Sequence, residues 1–189
     1  MSSTATTIFS DYEVSKLGLK MAGDTTATVM SAVGSAEESR NSRTITKKER
    51  GMVAKERVKG TGSGELKLSL HLPFQSLMKI QGMNISGLTT GVYAYGQGSK
   101  HPTLCVTAEV LDEDDNKKLM AWPNAVLKEA VGRKIKNGDS DVAEVEMTLT
   151  YLPDTYGNGV YESLSDDLDD TTEGTWMSAF TPASVHNAG

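Results

Sequence analysis

The chain has 189 residues and a formal net charge of −6, with 38% hydrophobic, 6% aromatic and 23% charged residues. That length suits one domain, or one domain carrying a long extension, and the acidic balance argues against affinity built on neutralising phosphates. One cysteine, Cys105, excludes an internal disulfide, and three histidines, His71, His101 and His186, leave little for metal or acid–base chemistry. No run approaches the roughly 18 to 20 apolar residues of a membrane helix, and MSSTATTIFSDYE lacks the basic flank and apolar stretch of a signal peptide. Synthesis and retention in a cytoplasm are expected.

In chain order, residues 11–21 (DYEVSKLGLKM) fit a helix weakened by Gly18, or equally a strand, and residues 25–33 are a second strand candidate. Residues 34–51 (GSAEESRNSRTITKKERG) hold one large apolar residue, Ile45, and predict a long loop. Residues 52–59 read as a strand, and Gly60-Thr61-Gly62-Ser63-Gly64 as a hairpin connection into the alternating strand Glu65–Leu72, which places four leucines on one face. Pro73 to Gly82 predicts a short helix, with proline in its first turn and glycine as its stop. Strands follow at 90–96, 103–111, 118–128 and 144–151, with Asp112–Lys117 as a hairpin turn. Pro123 suits an edge or a bulge better than a regular central strand. Residues 153–189 read as an extension that ends in an apolar patch around Trp176, Met177 and Phe180.

Sites of chemistry are hard to find. Asp112, Asp114 and Asn116 match the opening of a calcium loop, but Lys117 stands where glycine is required and Pro123 where the bidentate glutamate belongs. Gly60-x-Gly62-x-Gly64 and Gly96-x-Gly98 lack the following helix and Gly-Lys-Ser/Thr ending of a phosphate loop. There is no nucleophile elbow, zinc-binding helix or cysteine pair, so the expectation is a protein that is not an enzyme and carries no cofactor or metal.

Charge placement is the distinctive feature. Residues 40–59 hold eight basic residues against Glu49 and Glu56, whereas residues 137–189 hold eleven acidic residues and no lysine or arginine. Oppositely charged, unlike surfaces on one chain suit head-to-tail contact between copies. The candidate subunit-interface residues are therefore Arg40, Arg43, Lys47, Lys48 and Arg50 on one side, and Asp166, Asp167, Asp169, Asp170, Trp176 and Phe180 on the other. A nucleic-acid loop is the competing reading, although no aromatic interleaves the basic residues for base stacking.

The segments KGTGSGELKLSLHLPFQSLMKIQGM (59–83), GVYAYGQGSKHP (91–102), VLDEDDNKKLMAWPNAVLKE (110–129) and YLPDTYGNGVYE (151–162) together resemble the major tail proteins, or tail tube proteins, of siphophages and prophages of Gram-positive bacteria. The resemblance implies a single mainly-β tail-tube domain over 1–189, an antiparallel β-sandwich with one short flanking α-helix. It further implies an N-terminal arm at 1–22, a long inter-subunit loop at 34–51 and a C-terminal arm at 153–189. The implied function is structural: hexameric rings stacked into a tail tube, the conduit for genome delivery, with assembly in the bacterial host cytoplasm and final location in the virion tail. Implied partners are other copies of the chain and further tail proteins such as the tape measure, terminator and distal tail proteins, with genomic DNA passing through unbound and no membrane. An acidic lumen would repel phosphates, and Glu144 and Glu146, or Glu65, Lys67 and Ser69, are expected to face the lumen or the exterior. The alternatives are a small β-barrel binding module for nucleic acid or carbohydrate, and another tail component such as a tail terminator.

Overall fold

A computed structural model describes residues 8–83, 85–133, 135, 137–138 and 142–186. Its elements are β1 (Glu13–Met21), β2 (Thr28–Met30), β3 (Val33–Glu49), β4 (Met52–Leu70), α1 (Phe74–Ile80), β5 (Thr103–Leu111), β6 (Lys117–Leu127), β7 (Val145–Tyr151), β8 (Tyr161–Leu164) and α2 (Asp170–Ala179). The fold is mainly antiparallel β with two short helices. All strands belong to one sheet in the order β2-β1-β5-β6-β7-β4-β3, with β8 also paired to β6. The sheet curls until β3 returns against β1, so the layers of the expected sandwich are parts of one continuous sheet.

The alternating strands bury the faces that their sequences mark. Leu66, Leu68 and Leu70 of β4, Met147, Leu149 and Tyr151 of β7, Leu104, Val106 and Ala108 of β5, and Leu17 and Leu19 of β1 meet in one core, closed at one end by Ile80 of α1. Each fully buried aliphatic side chain contributes about 1.5–3 kcal/mol. Pro123 does sit at a bulge: the β5–β6 register shifts between Leu104 and Val106, opposite the Trp122–Ala125 segment. There β6 also changes neighbour, from β8 at Lys118–Ala121 to β7 at Ala125–Leu127. A residue without an N–H fits where the ladder switches partner.

Several sequence expectations are corrected. Residues 34–51 are not a loop but most of β3 and the turn that follows it. The strand is exposed on both faces over most of its length, so no period-2 apolar pattern betrays it. Gly60–Gly64 is no connection either; it lies inside β4 at a register shift between Arg40 and Ser42 of the partner strand. Residues 90–96 form no strand. The N-terminal arm expected at 1–22 becomes, from residue 13, an interior strand flanked by β2 and β5, with Leu17 and Leu19 buried; residues 1–7 lie outside the described residues. The strand alternative for 11–21 is the one realised. Gly18 faces α2, where a Cβ would come within 2.4 Å of Thr107 Oγ1 and 2.6 Å of the Met177 carbonyl oxygen.

The C-terminal arm expected at 153–189 is folded onto its own chain as far as residue 186, and residues 187–189 lie outside the described residues. Helix α2 covers the face of β5 and β6 that points away from the main core. Trp176 and Phe180 pack there against Cys105, Leu119 and Ala121, and the Trp176 indole N–H donates to the Met120 carbonyl at 3.1 Å. The helix starts at Asp169, whose carboxylate accepts from the backbone N–H groups of Thr171 and Thr172 at 3.1 and 3.0 Å, a standard N-cap.

Candidate functional site

The β3–β4 hairpin is the outstanding feature of the surface. Pairing continues from Val33 opposite Leu70 to Glu49 opposite Met52, yet every residue from 39 to 61 is exposed. From residue 39 to the tip this bare ribbon extends about 35 Å at ~3.3 Å per residue. Its tip is a two-residue turn in which Arg50 and Gly51 both have positive φ, 50° and 81°, the type I′ geometry that suits the twist of the flanking strands.

Directly opposed residues share a face and successive residues alternate, so the register sorts the charges. Arg43 opposes Lys59, Ile45 opposes Arg57 and Lys47 opposes Lys55. One face therefore carries Arg43, Lys47, Lys55, Arg57 and Lys59, interrupted by Ile45 and ended by Glu49, which accepts from Lys47 at 2.7 Å. The other face carries Thr44 opposite Val58, Thr46 opposite Glu56 and Lys48 opposite Val53. Like charges directly across a ladder destabilise it, and an isolated two-stranded hairpin is marginal in water.

The sequence-derived cationic set is thus divided. Arg43 and Lys47 share the cationic face, Lys48 lies on the other, and Arg50 occupies the turn. Arg40 stands at the root and is engaged within the chain, bound to Glu38 through two hydrogen bonds of 3.0 Å and to Glu162 at 3.2 Å. Lys55, Arg57 and Lys59 complete the face, and a strand reading of 34–51 would have brought them in. The β-branched run Thr44-Ile45-Thr46 and the Arg50-Gly51 pair were the available signals.

Glu38 is the anchor that sequence reasoning missed. Its carboxylate accepts from Tyr151 Oη at 2.8 Å, from the Trp122 indole N–H at 3.2 Å and from Arg40, joining the ribbon root to β6 and β7. Burial pushes this carboxyl up, but the bonds from Arg40, Tyr151 and Trp122 outweigh it and hold the group below its ordinary value of 4.5. The Arg40 guanidinium is raised in turn, chiefly by its bond to Glu38.

The acidic residues predicted as the complementary surface, Asp166, Asp167, Asp169 and Asp170, are exposed around the start of α2. Trp176 and Phe180 are instead only 3% exposed. They are contacts inside this chain, which corrects their assignment to a subunit interface: the β5–β6 outer face is apolar enough to retain them. A separate polar face is formed by Glu65, Lys67 and Ser69 of β4, which pair with Thr150, Thr148 and Glu146 of β7. Glu37 of β3 adds an ion pair to Lys67 at 3.2 Å, and Lys128 binds Glu65.

The remaining chemistry-bearing residues sit in local packing. Burial raises the Cys105 thiol to about 11, too high for a reactive thiolate at neutral pH. Asp112 organises its turn by accepting from the backbone N–H groups of Asp114 and Asn116 at 2.9 and 2.8 Å. Tyr161 donates to Asp154 at 2.6 Å, and its oxygen lies 3.0 Å from His186 Nε2. Among the described residues no group of three or more His, Cys, Asp or Glu side chains is arranged to hold a metal ion.

No protein-family model matches this chain, and no curated protein matches it. Among solved structures, the cap of the anti-feeding prophage, described as its tube-terminating cap, is similar with 13% identity and a TM-score of 0.47, covering 87% of this chain and 99% of that one. A chain of the anti-feeding prophage baseplate is similar with 11% identity and a TM-score of 0.46, covering 86% and 97%. At these scores and identities neither likeness assigns a role to this chain.

Proposed function

We propose that this chain is a structural subunit that polymerises with itself, as stacked hexameric rings, into the tail tube of a phage-like particle. The observation that carries the reading is the β3–β4 ribbon, about 35 Å long at ~3.3 Å per residue, bare on both faces and with cations set opposite cations. A free monomer gains nothing from such an element, because its strands lack a core to pack on and its charges repel. A neighbouring subunit offers both an apolar contact and counter-charge. The outer edge of β3 is also unpaired, leaving backbone donors and acceptors open to another chain.

The bare polar face of β4 and β7 is the natural lining of a conduit, since the outer face of β5 and β6 is occupied by α2. Glu37, Glu65, Glu129, Glu144 and Glu146 outnumber Lys67, Lys128 and Arg133 there, and a net negative wall repels phosphates. Such a subunit would assemble in the host cytoplasm and meet tape-measure, terminator and distal tail proteins at the ends of the tube. A tail terminator, which stops at one ring, is the nearest alternative within the same class.

The cationic face also favours a second reading, a nucleic-acid-binding module. Against it, residues 39–61 include no aromatic side chain on which a base could stack. Negative-stain electron microscopy of the purified protein at rising concentration separates these readings. Rings and tubes are expected for the tube subunit, and rings alone for a terminator. Single particles at every concentration, together with a DNA affinity that falls steeply with salt, would establish the binding module instead.

A further inference from the structure

Strand register fixes the end of the molecule at which each charged segment lies. β6 starts at Lys117, which pairs with Leu111 across the 112–116 turn; Leu111 also pairs with Glu13, and Leu164 pairs with Lys118. The start of β1, the β5–β6 turn and the 165–170 connection into α2 therefore share one end. Exposed there are Glu13, the acidic turn residues 113–115, and Asp166, Asp167, Asp169 and Asp170. The cations nearby include Lys117, Lys16, which is paired with Glu109, and Lys118, which is tied to Asp11.

The ribbon leaves toward this same end. Gly64 pairs with Tyr151, which pairs with Ala125, so the course from Leu70 through Gly64 to the tip runs in the direction from Leu127 to Lys117. The opposite end carries α1 and the long connection to β5, together with the β1–β2 and β6–β7 connections; its exposed Asp24, Glu129 and Glu144 are interspersed with Lys79, Lys100, Lys128 and Arg133. A copy stacked end to end would offer the cationic ribbon a surface of mixed charge, without a concentration of carboxylates among the described residues. A copy beside it, in the same orientation, would offer the acidic end at the same level.

Resting on the self-assembly reading above, we infer that the cationic face of the ribbon, formed by Arg43, Lys47, Lys55, Arg57 and Lys59, docks laterally on the acidic end of a neighbouring copy within one ring. A heterologous contact of this kind between like-oriented copies gives a ring where its rotation closes and an open filament where it does not, and opposite charges set its register while like-charged misalignments are disfavoured. The repulsion between Arg43 and Lys59, and between Lys47 and Lys55, is relieved when that face meets carboxylates.

Charge exchange tests this with mass photometry for rings and electron microscopy for tubes. One variant carries Arg43→Glu, Lys47→Glu, Lys55→Glu and Arg57→Glu; the other carries Glu113→Lys, Asp114→Lys, Asp166→Lys and Asp167→Lys, sparing the Asp169 cap. Each alone should form rings about a hundredfold more weakly, or roughly 2.8 kcal/mol at a tenfold per 1.4 kcal/mol. Mixing the two, or placing all eight changes in one chain, should restore rings, which also shows that both variants fold. A ribbon variant that makes normal rings but no tubes would place the contact between rings and overturn the inference while leaving self-assembly intact. Loss of rings without restoration would show that the two surfaces do not face one another. Wild-type protein that never forms rings would refute both this inference and the self-assembly reading.

Discussion

Strand β4 passes through two environments, and the contrast between its halves separates what folds this chain from what the chain is for. From Gly64 to Leu70 it is an interior strand, flanked by β3 and β7, with Leu66, Leu68 and Leu70 each at most 2% exposed. From Met52 to Thr61 it is half of a ribbon in which Met52, Val53 and Val58 are 73%, 55% and 61% exposed. The backbone ladder continues through both halves, whereas side-chain burial stops at the root. Hydrophobic burial dominates folding stability, so the body half carries stability and the ribbon half is free to serve a partner.

The contrast breaks most sharply by one substitution in the core beside β4 and one in the ribbon. Leu149→Ala, opposite Leu66 in the core, should cost about 2–5 kcal/mol and lower the melting temperature or abolish folding. Ile45→Ala, on the cationic face of the ribbon, should change monomer stability by less than about 0.5 kcal/mol, while weakening ring formation. Equal losses of thermal stability in the two variants would erase the distinction. Gly18→Val tests whether α2 belongs to the body: its side chain would enter the space of Thr107 and Met177, and overpacking of this kind costs about 1–3 kcal/mol. Proteolysis of the C-terminal segment should accelerate in that variant.

The junction between the regions gives a smaller effect and a pH signature. Glu38→Ala leaves the Trp122 indole and Tyr151 hydroxyl without their acceptor, at a cost of about 1–3 kcal/mol. Because the folded Glu38 carboxyl lies below its ordinary 4.5, its contribution is present above that pH and is lost as pH falls through the depressed value. Thermal denaturation followed from pH 7 to 3 should therefore show a steeper acid loss in wild type than in Glu38→Gln. Identical pH slopes would remove Glu38 as the anchor. The smallest change is at the tip, where Arg50 holds a positive φ; Arg50→Asn should stabilise the turn by a few tenths of a kcal/mol, since asparagine is favoured there. Hydrogen exchange at Glu49 and Met52 measures it.

The body was legible in the sequence wherever a strand buries one face. The alternation of 103–111 and that of 144–151 each become a strand at or near the predicted bounds, and the leucines at 66, 68 and 70 form the buried end of β4, which begins much earlier, at Met52. Of the ribbon, the half at 52–59 reads as a strand and is one, whereas the half in 34–51 reads as a loop, because two solvent-facing sides leave Ile45 as its one large apolar residue. The ribbon's existence depends on Arg50-Gly51 closing a two-residue turn and on pairing that a one-dimensional reading does not contain. The charge asymmetry of the assembly surface was legible, but its faces were not. Lys48 and Arg50 look equivalent to Lys47 in sequence, and only the register divides them and recruits Lys55, Arg57 and Lys59. In sequence Trp176 and Phe180 look like arm contacts, because their burial partner, the outer face of β5 and β6, becomes apolar only when Cys105, Leu119 and Ala121 are brought together. Glu38 gave no sequence signal, since its role comes from Trp122 and Tyr151, far away in the chain.

Removing the ribbon while keeping the body tests the central claim most directly. Residues 43–59 are replaced by Asn-Gly, which joins Ser42 to its partner Gly60, and the product is compared with wild type by sedimentation velocity over a wide concentration range. The expected product is a folded monomer, with the melting temperature of the wild-type monomer, that forms neither rings nor tubes at any concentration. A trimmed protein that assembles as wild type does would contradict the claim.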